Sequence, residues 1–368
     1  MPIKKSIWVA LLMMILAVVV ILPHKQFGHP GDRTHPTQGT EDWERKSVIS
    51  SVKQEDTANN KTQKNAIAQT PQTVVAPPLS AKRLLAHIKA LARERYTDRD
   101  RTRTRNYITQ VLKASGWSPT LQSFQGGVNV VAQRSGRNPE AGTILLAAHY
   151  DTVKGSSGAD DNASGVATVL EVARVLGKRQ TPRTLQVAFF DLEEKGLIGS
   201  LAFTNNAANL TDLRGAIVLD MVGFACRTPG CQRYPQGLPI TPPSNWGDFL
   251  AVAGDLEHLP LLNSFKQSNQ QGLPAVVTLP IPLKGLATPD VLRSDHAPFW
   301  YRGIGAVFVT DTANFRSPHY HRSSDTLETI DRKFFLGAAT IVANATATLL
   351  ESRENLATAV SPDHSRSR

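Results

Sequence analysis

The chain has 368 residues, is 41% hydrophobic and 20% charged, and carries a formal net charge of +10 at pH 7. That apolar share suffices for a buried core and excludes a wholly disordered chain, and the length accommodates one large domain or two ordinary ones. The basic excess is spread through residues 81–107 and both tails with no nucleic-acid-binding motif beside it. Solvated helix faces and attraction to anionic lipid or wall polymer account for it, so no nucleic acid is expected as a partner.

At the N-terminus, Lys4 and Lys5 precede "SIWVALLMMILAVVVILP", a run long enough to cross a hydrocarbon core of ~30 Å or to serve as a signal-peptide core. No Ala-x-Ala-like site follows it, so residues 1–23 read as an uncleaved membrane anchor, a cleaved signal with a secreted product being the alternative. The two lysines place the N-terminus in the cytoplasm and the body on the extracytoplasmic, periplasmic side. Residues 24–78 are polar and Pro-containing with few aromatics and read as a flexible linker. Order is expected from Leu79 to Ser352, with a disordered tail over 353–368.

Within 79–352 the spacing of Leu84, Leu85, Ile88 and Leu91 predicts a helix, and "RNYITQVLKASGW" repeats the pattern until Gly116 stops it. The runs "NVVAQ", "TILLAAH", "LQVAFFD", "AIVLD" and "AVFVTD" predict buried strands, and "SGVATVLEVARVL" and residues 332–350 predict helices. This is α/β wiring around a largely parallel or mixed sheet. Residues 225–292, rich in Pro and Gly, read as an irregular insertion or long loops beside that sheet. Cys226 and Cys231 bracket the turn in "CRTPGC", where an oxidising compartment favours a local disulfide. They cannot make a four-thiolate zinc site, because no other cysteine exists.

Several of these strands end in polar residues, and ligands of open α/β sheets bind beyond the carboxyl ends of strands. His149, Asp151, Asp160, Asp161, Glu193, Glu194, Asp220, Asp295, His296, His319, His321 and Asp325 are thereby gathered at one rim. Carboxylates outnumber imidazoles there, which suits Zn²⁺, Mn²⁺ or Co²⁺, and two ions sharing a bridge better than one.

In order along the chain, "HYD", "ADDNASG", "DLEEKGLIGS", "LDMVG", "RSDHAPF" and "YHRSSDT" resemble the motifs of the zinc aminopeptidases of peptidase family M28, over roughly residues 80–350. The resemblance implies a three-layer α/β/α sandwich around a mixed, largely parallel central sheet. It also implies a hydrolase that removes N-terminal residues from peptides with two zinc ions per chain. His149 and Asp220 would hold one ion, Glu194 and His321 the other, and Asp161 would bridge them. Asp151 would orient His149, Glu193 would act as general base, Tyr320 would donate to the scissile carbonyl oxygen, and Asp325 would support His321. Arg293, Asp295 and His296 are substrate-binding candidates, and Phe299, Trp300 and Phe315 either wall a pocket or belong to the core. Asp160 reads as a solvated or helix-N-terminal carboxylate and His319 as a loop residue. A glutaminyl cyclase on the same fold, a two-zinc carboxypeptidase or dipeptidase, and a non-catalytic binding domain are the competing readings, although "EEKGLIGS" lacks the insertion usual in the cyclases.

Overall fold

The short apolar runs separated by amphipathic stretches assemble, in a computed structural model that describes residues 74–235 and 244–357, into one eight-stranded sheet between two helical layers. The anchor segment 1–23, most of the linker and the end of the tail lie outside the described residues. In chain order the elements are α1 (Ala81–Leu91), α2 (Asp98–Ala114), β1 (Thr120–Phe124), β2 (Gly127–Arg134), β3 (Thr143–His149), α3 (Ala163–Leu176), β4 (Thr184–Phe190) and α4 (Ile198–Asn205). They continue with β5 (Leu213–Leu219), β6 (Phe249–Asp255), α5 (Leu259–Gln267), β7 (Ala275–Ile281), α6 (Ala297–Tyr301), β8 (Ala306–Thr310) and α7 (Arg332–Glu351). The strand order is β1-β2-β4-β3-β5-β8-β6-β7. Strands β4, β3, β5 and β8 run parallel, while β1, β2 and β6 pair antiparallel with β2, β4 and β8 respectively.

The parallel strands are apolar nearly throughout because both of their faces are covered. Ile144, Leu146 and Ala148 of β3 pack under α1, α2, α3, α5 and α7, whereas Leu145 and Ala147 face α4 and α6. This is the expected α/β/α sandwich, with the second helical layer the thinner. α7 is long and apolar enough to cross a membrane, but it is buried against the sheet and serves as a core helix.

Three expectations change. Residues 225–292 are not all loop: β6, α5 and β7 extend the sheet. The edge strand β7 hid in the sequence because it carries Pro280 and is only partly buried, so it shows no clean alternation. The domain also begins before Leu79. Val74 N–H donates to Thr348 Oγ1 (3.1 Å) and Ala76 N–H to Asn344 Oδ1 (2.9 Å), fastening residues 74–76 to α7. At the other end Arg183 donates to the carbonyls of Ser352 and Glu354, and Leu356 is buried, so the packed chain runs past 352.

The buried face of α1 carries His87, whose Nδ1 is 2.8 Å from Tyr107 Oη. Burial, then the charges of Arg83 and Arg174, lower its pKa to about 4 against an opposing pull from Glu171. The unfolded chain takes up this proton below pH 6.5 and the fold resists it down to about 4, so stability falls as pH drops through that window. The His87-dependent loss is about 3 kcal/mol at pH 4. It is read as the part of the pH dependence of urea unfolding that His87→Gln abolishes.

Candidate functional site

Parallel pairing sets the polar residues that follow β3, β4, β5 and β8 side by side. His149 ends β3, Glu193 and Glu194 form the single turn after β4, Asp220 follows β5, and His321 lies in the loop after β8. Asp161 comes from the loop that opens α3, in which the Asp161–Asn162 peptide is cis. Gly158 (φ +59°) lets this loop fold tightly: a Cβ there would lie 2.3 Å from the Asp161 carbonyl oxygen.

Two groups of potential metal ligands result, His149–Glu193–Asp220 and Asp161–Glu194–His321, each with its ligand atoms within 4.8 Å of one another. His149 Nε2 is 3.4 Å from both Asp161 Oδ1 and Asp220 Oδ1 and 4.0 Å from Glu193 Oε2. His321 Nε2 is 3.2 Å from Asp161 Oδ2 and 3.1 Å from Glu194 Oε2. Asp161 thus turns one carboxylate oxygen toward each group. The imidazole and carboxylate donors fit zinc, and Glu194 Oε1 is buried without a hydrogen-bond partner. Burial, together with repulsion from Asp220, Asp295 and Glu194, holds Glu193 well above the usual carboxylate range, partly offset by His149. Burial and Asp161 push Glu194 up to about 7.

Beneath these residues sits a layer of buried carboxylates that accept backbone N–H groups. Asp151 stands 3.4 Å from His149 Nδ1, and its two oxygens accept from Glu193 N–H (3.1 Å) and Glu194 N–H (3.3 Å). Asp325 accepts from Asp160 N–H (2.9 Å) and Asp161 N–H (3.0 Å), so it braces the Asp161 loop and not His321 as expected. Asp160 is not solvated either: it is buried, accepts from Gly223 N–H (2.8 Å) and faces Asp311, which accepts from Phe224 and Ala313. Burial raises both carboxyls, Asp311 to about 6, and the charge of Asp311 adds to the rise at Asp160. Asn162 caps α3 through Gly165 N–H (3.0 Å) while its amide donates to Leu219 O (2.8 Å), locking the loop to the end of β5.

Sequence reasoning missed Arg95. This buried guanidinium donates to the carbonyls of Tyr150 (2.8 Å), Gly158 (2.9 Å) and Asp161 (3.2 Å), tying α1 to both loops, and nothing in "ARERY" marks it out among the neighbouring arginines.

Of the substrate-binding candidates, only Arg293 faces a cleft. With Asp220 and Tyr320 it flanks a groove floored by Ala251, Ala253 and Phe308 of β6 and β8 and walled by Phe249 and Phe315. His296 is fully buried, stacked on Phe308 (ring centroids 4.8 Å, 5°) with Trp300 edge-on at 4.6 Å, and it belongs to the core with Phe299 and Trp300. Asp295 is likewise fully buried, raised to about 7 by burial and by Asp151 and Asp220 against His149 and Ser200. The Cys226–Cys231 disulfide is formed, in the segment leading to Gln232 and Arg233 of the cleft wall. His319 is a loop residue whose Nδ1 lies 3.0 Å from Ser324 Oγ. Because Asn has no second carboxylate oxygen to accept an amide proton, Asp325→Asn weakens zinc retention by about tenfold to a hundredfold, measured by competition with a chromogenic chelator.

Residues 129–346 match the family model described as peptidase family M28. YfbL of Escherichia coli strain K12, itself uncharacterised, is 31% identical over 293 residues, spanning 73% of this chain and 86% of that protein. Leupeptin-inactivating enzyme 1 of Streptomyces exfoliatus is 30% identical over 172 residues, 43% of this chain and 39% of the enzyme, so the match spans well under half of that relative. Among solved structures, the LapA aminopeptidase of Legionella pneumophila superposes with a TM-score of 0.57 at 18% identity, over 74% of this chain and 73% of that one, a likeness of fold. With the family model covering more than half of its length and both candidate ligand groups inside the match, the chain belongs to peptidase family M28.

Proposed function

We propose that the protein is a zinc aminopeptidase that uses two zinc ions per chain to release N-terminal residues from peptides. The observation that carries this reading is the Asp161 carboxylate, with Oδ1 3.4 Å from His149 Nε2 and Oδ2 3.2 Å from His321 Nε2. One ion would be held by His149 and Asp220, the other by Glu194 and His321, with Asp161 shared. Bound zinc supplies Lewis acidity at the scissile carbonyl and makes a water acidic at neutral pH.

The chain's own residues do the rest. Glu193, buried beside the candidate ligands with Oε2 4.0 Å from His149 Nε2, takes a proton from the attacking water and delivers it to the departing amine. Asp151 fixes the Glu193 and Glu194 amides and the His149 ring, holding base and ligands in register. Glu193 and Asp220 form the acidic wall that receives the substrate's free α-ammonium. Tyr320, at the cleft mouth, donates to the carbonyl oxygen as it gains charge. The apolar floor of the cleft accommodates the side chain that is released.

Residues 1–23 would hold this domain to a membrane with catalysis on the extracytoplasmic side, and the Cys226–Cys231 disulfide suits such an oxidising compartment. Elemental analysis of the detergent-solubilised full chain is expected to give two zinc equivalents, with chelator-sensitive release of aminoacyl chromophores. One equivalent with cyclisation of N-terminal Gln peptides would indicate a cyclase instead. Release from the C-terminus, or from dipeptides alone, would indicate a carboxypeptidase or dipeptidase, and no metal and no turnover a binding domain. Glu193→Gln keeps both metals and loses at least about a hundredfold in kcat, whereas Asp161→Ala loses metal as well.

A further inference from the structure

What the Tyr320 phenol can do depends on where its single hydrogen points. Arg293 Nη2 donates to Tyr320 Oη at 3.0 Å, and the guanidinium carbon lies 5.9 Å from the Tyr320 ring centroid. A guanidinium has donors and no acceptor, so the phenol cannot return this bond and its O–H must be aimed at an acceptor elsewhere. The ring is held too, stacked on His321 with centroids 3.7 Å apart and planes 19° from parallel.

Arg293 is itself anchored. Its Nη1 donates to Asn314 Oδ1 at 3.0 Å and stands 3.9 Å from Asp290 Oδ1, while the Asn314 carbonyl accepts from Arg233 Nη2 at 2.8 Å. Asn314 therefore accepts from both arginines, and Arg293, fixed through one nitrogen, donates onward to Tyr320 through the other. Tyr320 lines the same cleft as Asp220.

Resting on the aminopeptidase reading, we propose that Arg293 is a positioning residue: by filling the acceptor side of the Tyr320 oxygen it fixes the phenol as a one-way donor toward the substrate carbonyl. The positive charge also polarises the O–H, which strengthens that donation most when the carbonyl oxygen becomes negative. In this role Arg293 acts through Tyr320 and exchanges no proton. Its effect belongs to the transition state and is expected in kcat, not in KM.

The test uses the zinc-loaded full chain and the variants Arg293→Ala, Arg293→Lys, Tyr320→Phe and the Ala/Phe double. Aminoacyl anilide kinetics are read beside calorimetric affinities for an α-aminophosphonic acid, which presents tetrahedral oxygens, and for a planar amino acid amide. Tyr320→Phe is expected to lower kcat about a hundredfold, and Arg293→Ala about tenfold with KM unchanged within about twofold. The double variant then matches Tyr320→Phe alone, and Lys, which still donates, recovers part of the loss. Arg293→Ala weakens the aminophosphonic acid about tenfold and leaves the amide unaffected. Losses that multiply in the double variant, or an Arg293→Ala defect confined to KM, overturn the positioning role while the aminopeptidase reading stands. A wild-type chain with no chelator-sensitive aminoacyl release overturns both.

Discussion

Parallel pairing of β4, β3, β5 and β8 is the constraint on which the rest depends. Strands that run the same way must finish at the same edge, so whatever residue follows each last apolar position is delivered to one rim. His149, Glu193, Glu194, Asp220 and Asp311 arrive there from four separate stretches of chain, and the loops before α3 and after β8 add Asp161 and His321. Crowded acids repel, and in a buried setting they either shift their protonation or face cations. Asp161, placed between His149 and His321, is where this electrostatic demand concentrates.

Holding that arrangement requires a second tier that is mostly about backbone. Asp151, Asp160, Asp311 and Asp325 each accept amide protons from the loops that carry the candidate ligands, and Arg95 gathers the carbonyls that those loops turn inward. Loops with this many buried polar groups fold only when nearly every one is paired. The same carboxylates that look like surplus acidity in the sequence are therefore the cement of the site.

This explains what could be read in advance. The buried strands and the long helices were legible because their apolar content is continuous or helically spaced, as in "TILLAAH" and "SGVATVLEVARVL". The residues of the two candidate ligand groups, which the fold does bring together, stood out because their types and spacing resemble M28 motifs. The roles of Asp160 and Asp325 were misread because a carboxylate that accepts from a backbone amide leaves no pattern in the neighbouring side chains. His296 was misread because histidine in a polar motif looks exposed, whereas aromatic stacking on Phe308 and Trp300 buries it. β6 and β7 went unseen because Pro and Gly around them mask short strands that only tertiary pairing stabilises.

The facing pair Asp160 and Asp311 has a consequence for how such a protein can change over generations. Asp160 is the neighbour of Asp161 and holds Gly223, while Asp311 holds Phe224 and Ala313, the last of which borders the cleft. The wall of the cleft and the loop that holds Asp161 in place thus share a single hinge-pin. Mutations that redraw the cleft near this pin are inherited together with their effect on the Asp161 loop. New preferences come more freely from β7, where Val277 and Leu279 line the cleft.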